Sequence, residues 1–125
     1  MPSVATLPVL IVADDLIWSS RLSAAVDRAG TTSVEIRSEN GLTTALAEAP
    51  AGAPVIVDLN GRAYDGVDAV RAAVTAGRRV LAVGQHEDLE LRRRALAAGA
   101  RRVFSYNKLF TDGPNVVAAL LADQL

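Results

Sequence analysis

Five short runs rich in β-branched residues recur along this chain, and each is followed by a stretch with helical spacing. No other feature restricts the possible folds as much. The runs fall at 8–13, 33–37, 54–59, 79–83 and 102–106. The first, third and fourth are apolar on both faces, the pattern of central strands in a parallel sheet covered by helices. The second sets Val34 and Ile36 among charged residues, which suits an edge strand with one wet face. Apolar residues at helical spacing occupy 16–29, 41–49, 66–76, 87–98 and 114–124. Gly30, Pro50, Gly77 and Gly99 stop the first four, and Asp112-Gly113-Pro114 opens the last.

This order predicts a doubly wound α/β sandwich, one domain over 1–125, with helices on both faces of a five-stranded parallel sheet. A chain of this length buries about two-thirds of its unfolded surface. Thirteen basic and 14 acidic side chains give a net charge of −1, which argues against non-specific nucleic-acid binding. There is no cysteine and one histidine, so disulfides, a cysteine nucleophile and a structural zinc site are excluded. No apolar run approaches the roughly 20 residues of a membrane span. The start lacks the basic flank of a signal peptide, and a cytoplasmic location is expected.

In such sheets the site lies at the carboxyl ends of the strands. Asp14 and Asp15 follow the first run, Asp58 and Asn60 end the third, and Gly84-Gln85-His86 end the fourth. Carboxylates converging from neighbouring strand ends repel unless a cation or proton joins them, and magnesium is the usual cation. Asp15 also stands where a helix N-cap belongs, so both roles are open to it. Asp58 directly follows Val-Ile-Val, which places a partly desolvated carboxylate at a functional position. His86, Glu87 and Asp88 lack a second histidine and read as a loop and helix start. The Gly61–Gly66 segment has no following lysine and is no phosphate loop, and no G-x-G-x-x-G occurs.

Taken together, VLIVADD (9–15), VIVDLN (55–60), Asp65-Gly66, VLAVG (80–84), AGA (98–100) and KLF (108–110) resemble the response-regulator receiver family in order and spacing. The resemblance covers nearly the whole chain and implies a flavodoxin-like sheet of strand order 2-1-3-4-5. It implies that Asp58 is the phosphoacceptor and that magnesium is held by Asp14, Asp15, Asp58 and the backbone carbonyl of Asn60. It also implies phosphoryl contacts at the positions of Gly84 and Lys108. Three of these positions depart from the family: the first acid is Ala13, the hydroxyl residue is Gly84, and seven residues instead of five separate AGA from Lys108. Strict alignment puts Tyr106 at the lysine position, while Lys108-Leu109-Phe110 resembles the family's Lys-Pro-Phe. Either residue could therefore meet the site. Any magnesium binding is expected to be weak.

The reading that follows is an atypical receiver in two-component signalling that acts through protein–protein contacts, with impaired or absent phosphotransfer. A working phosphoacceptor is the alternative, and a small-molecule enzyme on the same scaffold a remote third. No nucleophile beside a base supports enzymatic activity. Partners are expected to be a kinase, an output protein or a second copy, and neither membrane nor nucleic acid. By family analogy the partner surface lies within 87–124 and would include Arg92, Arg93, Arg94, Arg101, Arg102 and Tyr106; residues 78–102 carry a local net charge of +4. Trp18 is open to a core or an interface role.

Overall fold

The computed structural model describes residues 7–125. Strands β1 (Val9–Val12), β2 (Ser33–Ile36), β3 (Val55–Asp58), β4 (Val80–Gly84) and β5 (Arg102–Ser105) alternate with α1 (Leu16–Arg28), α2 (Glu39–Glu48), α3 (Gly66–Thr75), α4 (Leu89–Ala97) and α5 (Tyr106–Leu121). All strand pairs are parallel, in the order β2-β1-β3-β4-β5. The expected fold and strand order are both observed.

Strand period two explains the two-faced apolar runs. Leu10, Val12, Val55, Val57, Val80 and Ala82 pack beneath α2, α3 and α4 with Leu42, Val70 and Ala95. Their neighbours Val9, Ile11, Ile56, Leu81 and Val83 pack on the other face against Leu22 and Val26 of α1 and Val116, Val117 and Leu120 of α5. Val34 on the edge strand is exposed although alternation sets it on the same face as the buried Ile36, a departure from the expected one-sided pattern.

Helix starts differ from the expected ones where a capping side chain decides. Ser38 Oγ accepts from the Gly41 amide, so α2 begins at Glu39. Asp88 caps α4 through the Leu91 amide, which leaves Glu87 in the preceding turn. The largest correction concerns the fifth helix, which begins at Tyr106 and not near 114. Ser105 Oγ accepts from the Lys108 amide at 3.1 Å and ends β5 there. The chain leaves helical geometry at Asp112 (φ −138°) and resumes it through Pro114. A proline is harmless in a first turn because its missing N–H would be unpaired anyway. The Asp-Gly-Pro signal thus marks a kink inside α5.

Two contacts fix the ends of the sandwich. The buried Arg78 guanidinium donates to the carbonyls of Leu46, Ala49, Pro50 and Ala53, closing the C-terminus of α2. At the other end, a Cβ on Gly66 would lie 2.6 Å from the Leu59 carbonyl oxygen, so only glycine lets α3 start against the end of β3. Among the described residues, no helix is long and apolar enough to cross a membrane.

Candidate functional site

β1 and β3 lie side by side in the middle of the sheet, which brings Asp14, Asp15 and Asp58 to one end of it. Their carboxylates do three separate jobs. Asp14 Oδ2 accepts from the amides of Arg62 (2.8 Å) and Ala63 (2.7 Å), tying the loop after β3 to the end of β1. Desolvation opposes ionisation there, but these amides hold the Asp14 carboxyl below its ordinary range. Asp15 Oδ1 accepts from the amides of Ile17 and Trp18 and caps α1, which is the capping role left open above.

Asp58 is 2% exposed. Its Oδ1 accepts from the Asn60 amide at 3.1 Å and from the Tyr106 hydroxyl at 2.5 Å. Burial pushes its carboxyl above the ordinary carboxylate range, against the opposing effect of the Tyr106 and Asn60 bonds; the charges of Asp15 and Asp14 add to the rise. The Tyr106 hydroxyl also lies 2.9 Å from Asn60 Oδ1. Burial, and then the bond to Asp58, push the Tyr106 phenol well above its usual range, so the hydroxyl stays protonated and donates. Its ring stacks on Trp18 at 4.5 Å between centroids. Beneath the site the buried Tyr64 hydroxyl reaches the carbonyls of Asp58 (2.7 Å) and Val12 (3.0 Å), bridging β3 to β1. Sequence reasoning missed Tyr64, although its place inside GRAYDG, between two candidate strand ends, was visible.

Several expected contacts are not formed. Lys108 sits on the first turn of α5, where its Nζ bonds Asp112 Oδ2 at 3.0 Å, and Tyr106 takes the place at Asp58. The two additional residues ahead of Lys108 are absorbed by the early start of the helix. Gly84 is buried at the end of β4, with no side chain to offer. Ala13, at the family's first-acid position, is fully buried in the core beneath α1 and α5.

Each expected magnesium-binding carboxylate has one oxygen already engaged within the chain. Asp14 is engaged by two amides, Asp15 by the helix cap, and Asp58 by Tyr106 and Asn60. Among the described residues, no three acidic or histidine side chains gather to hold a metal. The expected arginine surface is largely engaged within the chain. Arg92 donates to the Val103 carbonyl, Arg93 pairs with Glu90, Arg101 pairs with Asp123, and Arg102 lies over the Phe104 ring. Tyr106, expected on that surface, belongs to the site itself, while Arg94 is exposed. His86 pairs with the neighbouring Glu87 at the surface.

No protein-family model and no curated protein matches the sequence. Solved structures do match. A CheY-like response regulator receiver domain from Methanospirillum hungatei JF-1 superposes with a TM-score of 0.81 at 16% identity, covering 96% of this chain and 97% of that one. A response regulator from Thermotoga maritima gives 0.77 at 18% identity, covering 94% and 98%. A response regulator from Burkholderia pseudomallei, solved with a phosphorylated aspartic acid, a calcium ion and citrate, gives 0.73 at 17% identity. That match covers 92% of this chain, which spans 66% of the other's length. The chain has the fold of response-regulator receiver domains.

Proposed function

We propose that this chain is an atypical receiver in signal transduction, a regulatory interaction domain and not an enzyme, in which phosphotransfer is impaired or absent. The observation that carries this reading is the Tyr106 hydroxyl on Asp58 Oδ1. In the receiver mechanism a lysine ammonium offsets the charge of the phosphoryl group. A phenol locked in its protonated form supplies a hydrogen bond and no charge. Gly84 offers no hydroxyl, and Asp14 and Asp15 each have one carboxylate oxygen engaged by backbone amides, which points the same way. The partner would be a kinase, an output protein or a second copy.

A second reading, a working phosphoacceptor with magnesium, has one observation in its favour. Asp58 Oδ2 accepts no hydrogen bond among the described residues. One experiment separates the two: incubation with acetyl phosphate and magnesium, followed by intact-mass measurement. An unmodified chain is expected. A stoichiometric phosphoryl adduct that disappears in Asp58→Asn would establish the second reading.

A further inference from the structure

Asparagine followed by glycine is the pair most open to attack by its own backbone, because the next amide meets no side chain on its way to the Asn Cγ. This chain has four asparagines, and two of them, Asn40 and Asn60, precede glycine. Both are exposed, so access of water does not separate them. Their backbones do. Asn40 lies in the first turn of α2, where the Gly41 amide donates to Ser38 Oγ at 3.0 Å. A helical backbone fixes the rotation that ring closure needs, and that amide is already engaged. Asn60 lies in the turn between β3 and α3, outside helix and strand. Among the described residues the Gly61 amide donates to no acceptor, and the Asn60 side-chain nitrogen has no partner either.

Packing keeps glycine at this place. A Cβ on Gly61 would overlap the Tyr64 ring and its hydroxyl oxygen. Tyr64 cannot yield that space, because it is buried and its hydroxyl holds the Val12 and Asp58 carbonyls together. No side chain can therefore stand at 61 to slow the attack. The amides on either side are held: that of Asn60 by Asp58, and those of Arg62 and Ala63 by Asp14. The Asn60–Gly61 link is the unanchored step between two anchored ones.

We infer that Asn60 is a site of spontaneous hydrolytic deamidation, which adds a carboxylate beside Asp58 and Tyr106 as the protein ages. The Gly61 nitrogen bonds Asn60 Cγ, gives up its proton to solvent and expels the side-chain nitrogen as ammonia, leaving a five-membered succinimide. Water then opens the ring at either carbonyl, and no electrons change hands. Opening at the side-chain carbonyl gives aspartate; opening at the backbone carbonyl gives isoaspartate, whose chain runs through the former side chain. In aspartate the new carboxylate stands where Asn60 Oδ1 now lies 2.9 Å from the Tyr106 hydroxyl, and it competes with Asp58 for that one proton. Isoaspartate lengthens the backbone by one carbon between the Asp58 and Asp14 anchors.

The test ages the full chain in mildly alkaline buffer at physiological temperature, with a parallel sample in urea. Cleavage after Glu39, Glu48 and Glu87 puts the two Asn-Gly pairs in separate peptides, 40–48 and 49–87. In the folded chain, peptide 49–87 is expected to gain about 1 Da at least about fivefold faster than 40–48, the factor that one helix cap contributes. In urea the two rates should converge. Isoaspartyl methyltransferase with a methyl donor should label the aged 49–87 peptide. Asn60→Gln, whose longer side chain closes a ring slowly, should lose both signals. In the aged chain the Arg62 and Ala63 amides should exchange with deuterium at least about fivefold faster, as their bonds to Asp14 loosen. Equal rates at the two sites in the folded chain would overturn the inference. So would a folded 49–87 peptide that gains nothing while its urea counterpart does, or a gain that survives Asn60→Gln. A phosphoryl adduct on Asp58 would contradict the preceding reading and leave this one untouched.

Discussion

The two halves of the strand-end crevice differ in what their side chains do for the fold. On the β1–β3 side three acids have a backbone duty. Asp14 ties down the loop after β3, Asp15 caps α1, and Asp65 caps α3 through the Asp68 amide. On the β4–β5 side the positions that would serve only a phosphoryl group hold Gly84 and Tyr106 instead of a hydroxyl and a lysine. Acids at such a site are therefore weak testimony to phosphotransfer, because folding alone is reason enough to keep them. The side with no folding duty is the more informative one.

This comparison can be broken in three ways. The largest effect is expected for Ala13→Asp, which restores the family's first acid at a position packed into the core. An uncompensated buried charge there should cost about 3 kcal/mol in denaturant unfolding. A well-folded variant that binds magnesium below millimolar in a calorimetric titration would show that the β1–β3 half still holds a cage.

A smaller effect, and opposite responses to pH, are expected from the other two carboxylates. Asp14→Ala removes the carboxylate oxygen that accepts from two amides and should cost about 1 kcal/mol at neutral pH. Because the folded state holds the Asp14 carboxyl low, its contribution is present above about pH 4 and fades as pH falls through the depressed folded value. Asp58 is raised, so its contribution is complete below about pH 4 and is lost as pH rises. Asp58→Asn should therefore be more stable than the parent at neutral pH, with the gap closing in acid. Urea midpoints measured across pH 3 to 7 check both signs, and parallel curves would remove the distinction.

The smallest effect belongs to the β4–β5 side. A Cβ at Gly84 would meet Leu59 Cδ1 at 3.4 Å and Asn60 Oδ1 at 3.5 Å, which are ordinary contacts. Gly84→Ser should shift stability by less than about 0.5 kcal/mol. A large loss of Tm would mean that this glycine, like the acids opposite, is kept for folding.

The fold was legible because period-two apolar runs covered on both faces admit few arrangements, and Leu10 and Ile11 indeed point into opposite core layers. The acids at the site were legible for the same local reason, as each directly follows an apolar run. Tyr106 was harder to read. Its role depends on where β5 ends, and Ser105 sets that end by capping a helix whose first turns look like loop ahead of Gly113-Pro114. One capping hydroxyl decides whether lysine or tyrosine faces Asp58. The surroundings of the arginines were not legible for a different reason: sequence counts arginines but does not show which have carboxylates beside them.

The stack of Trp18 on Tyr106 also makes the chain its own optical probe. Trp18 is the single tryptophan, and the ring it touches carries the hydroxyl held by Asp58. Indole emission therefore senses whether that phenol stays in place, and the state of a carboxylate 2% exposed can be followed without a label.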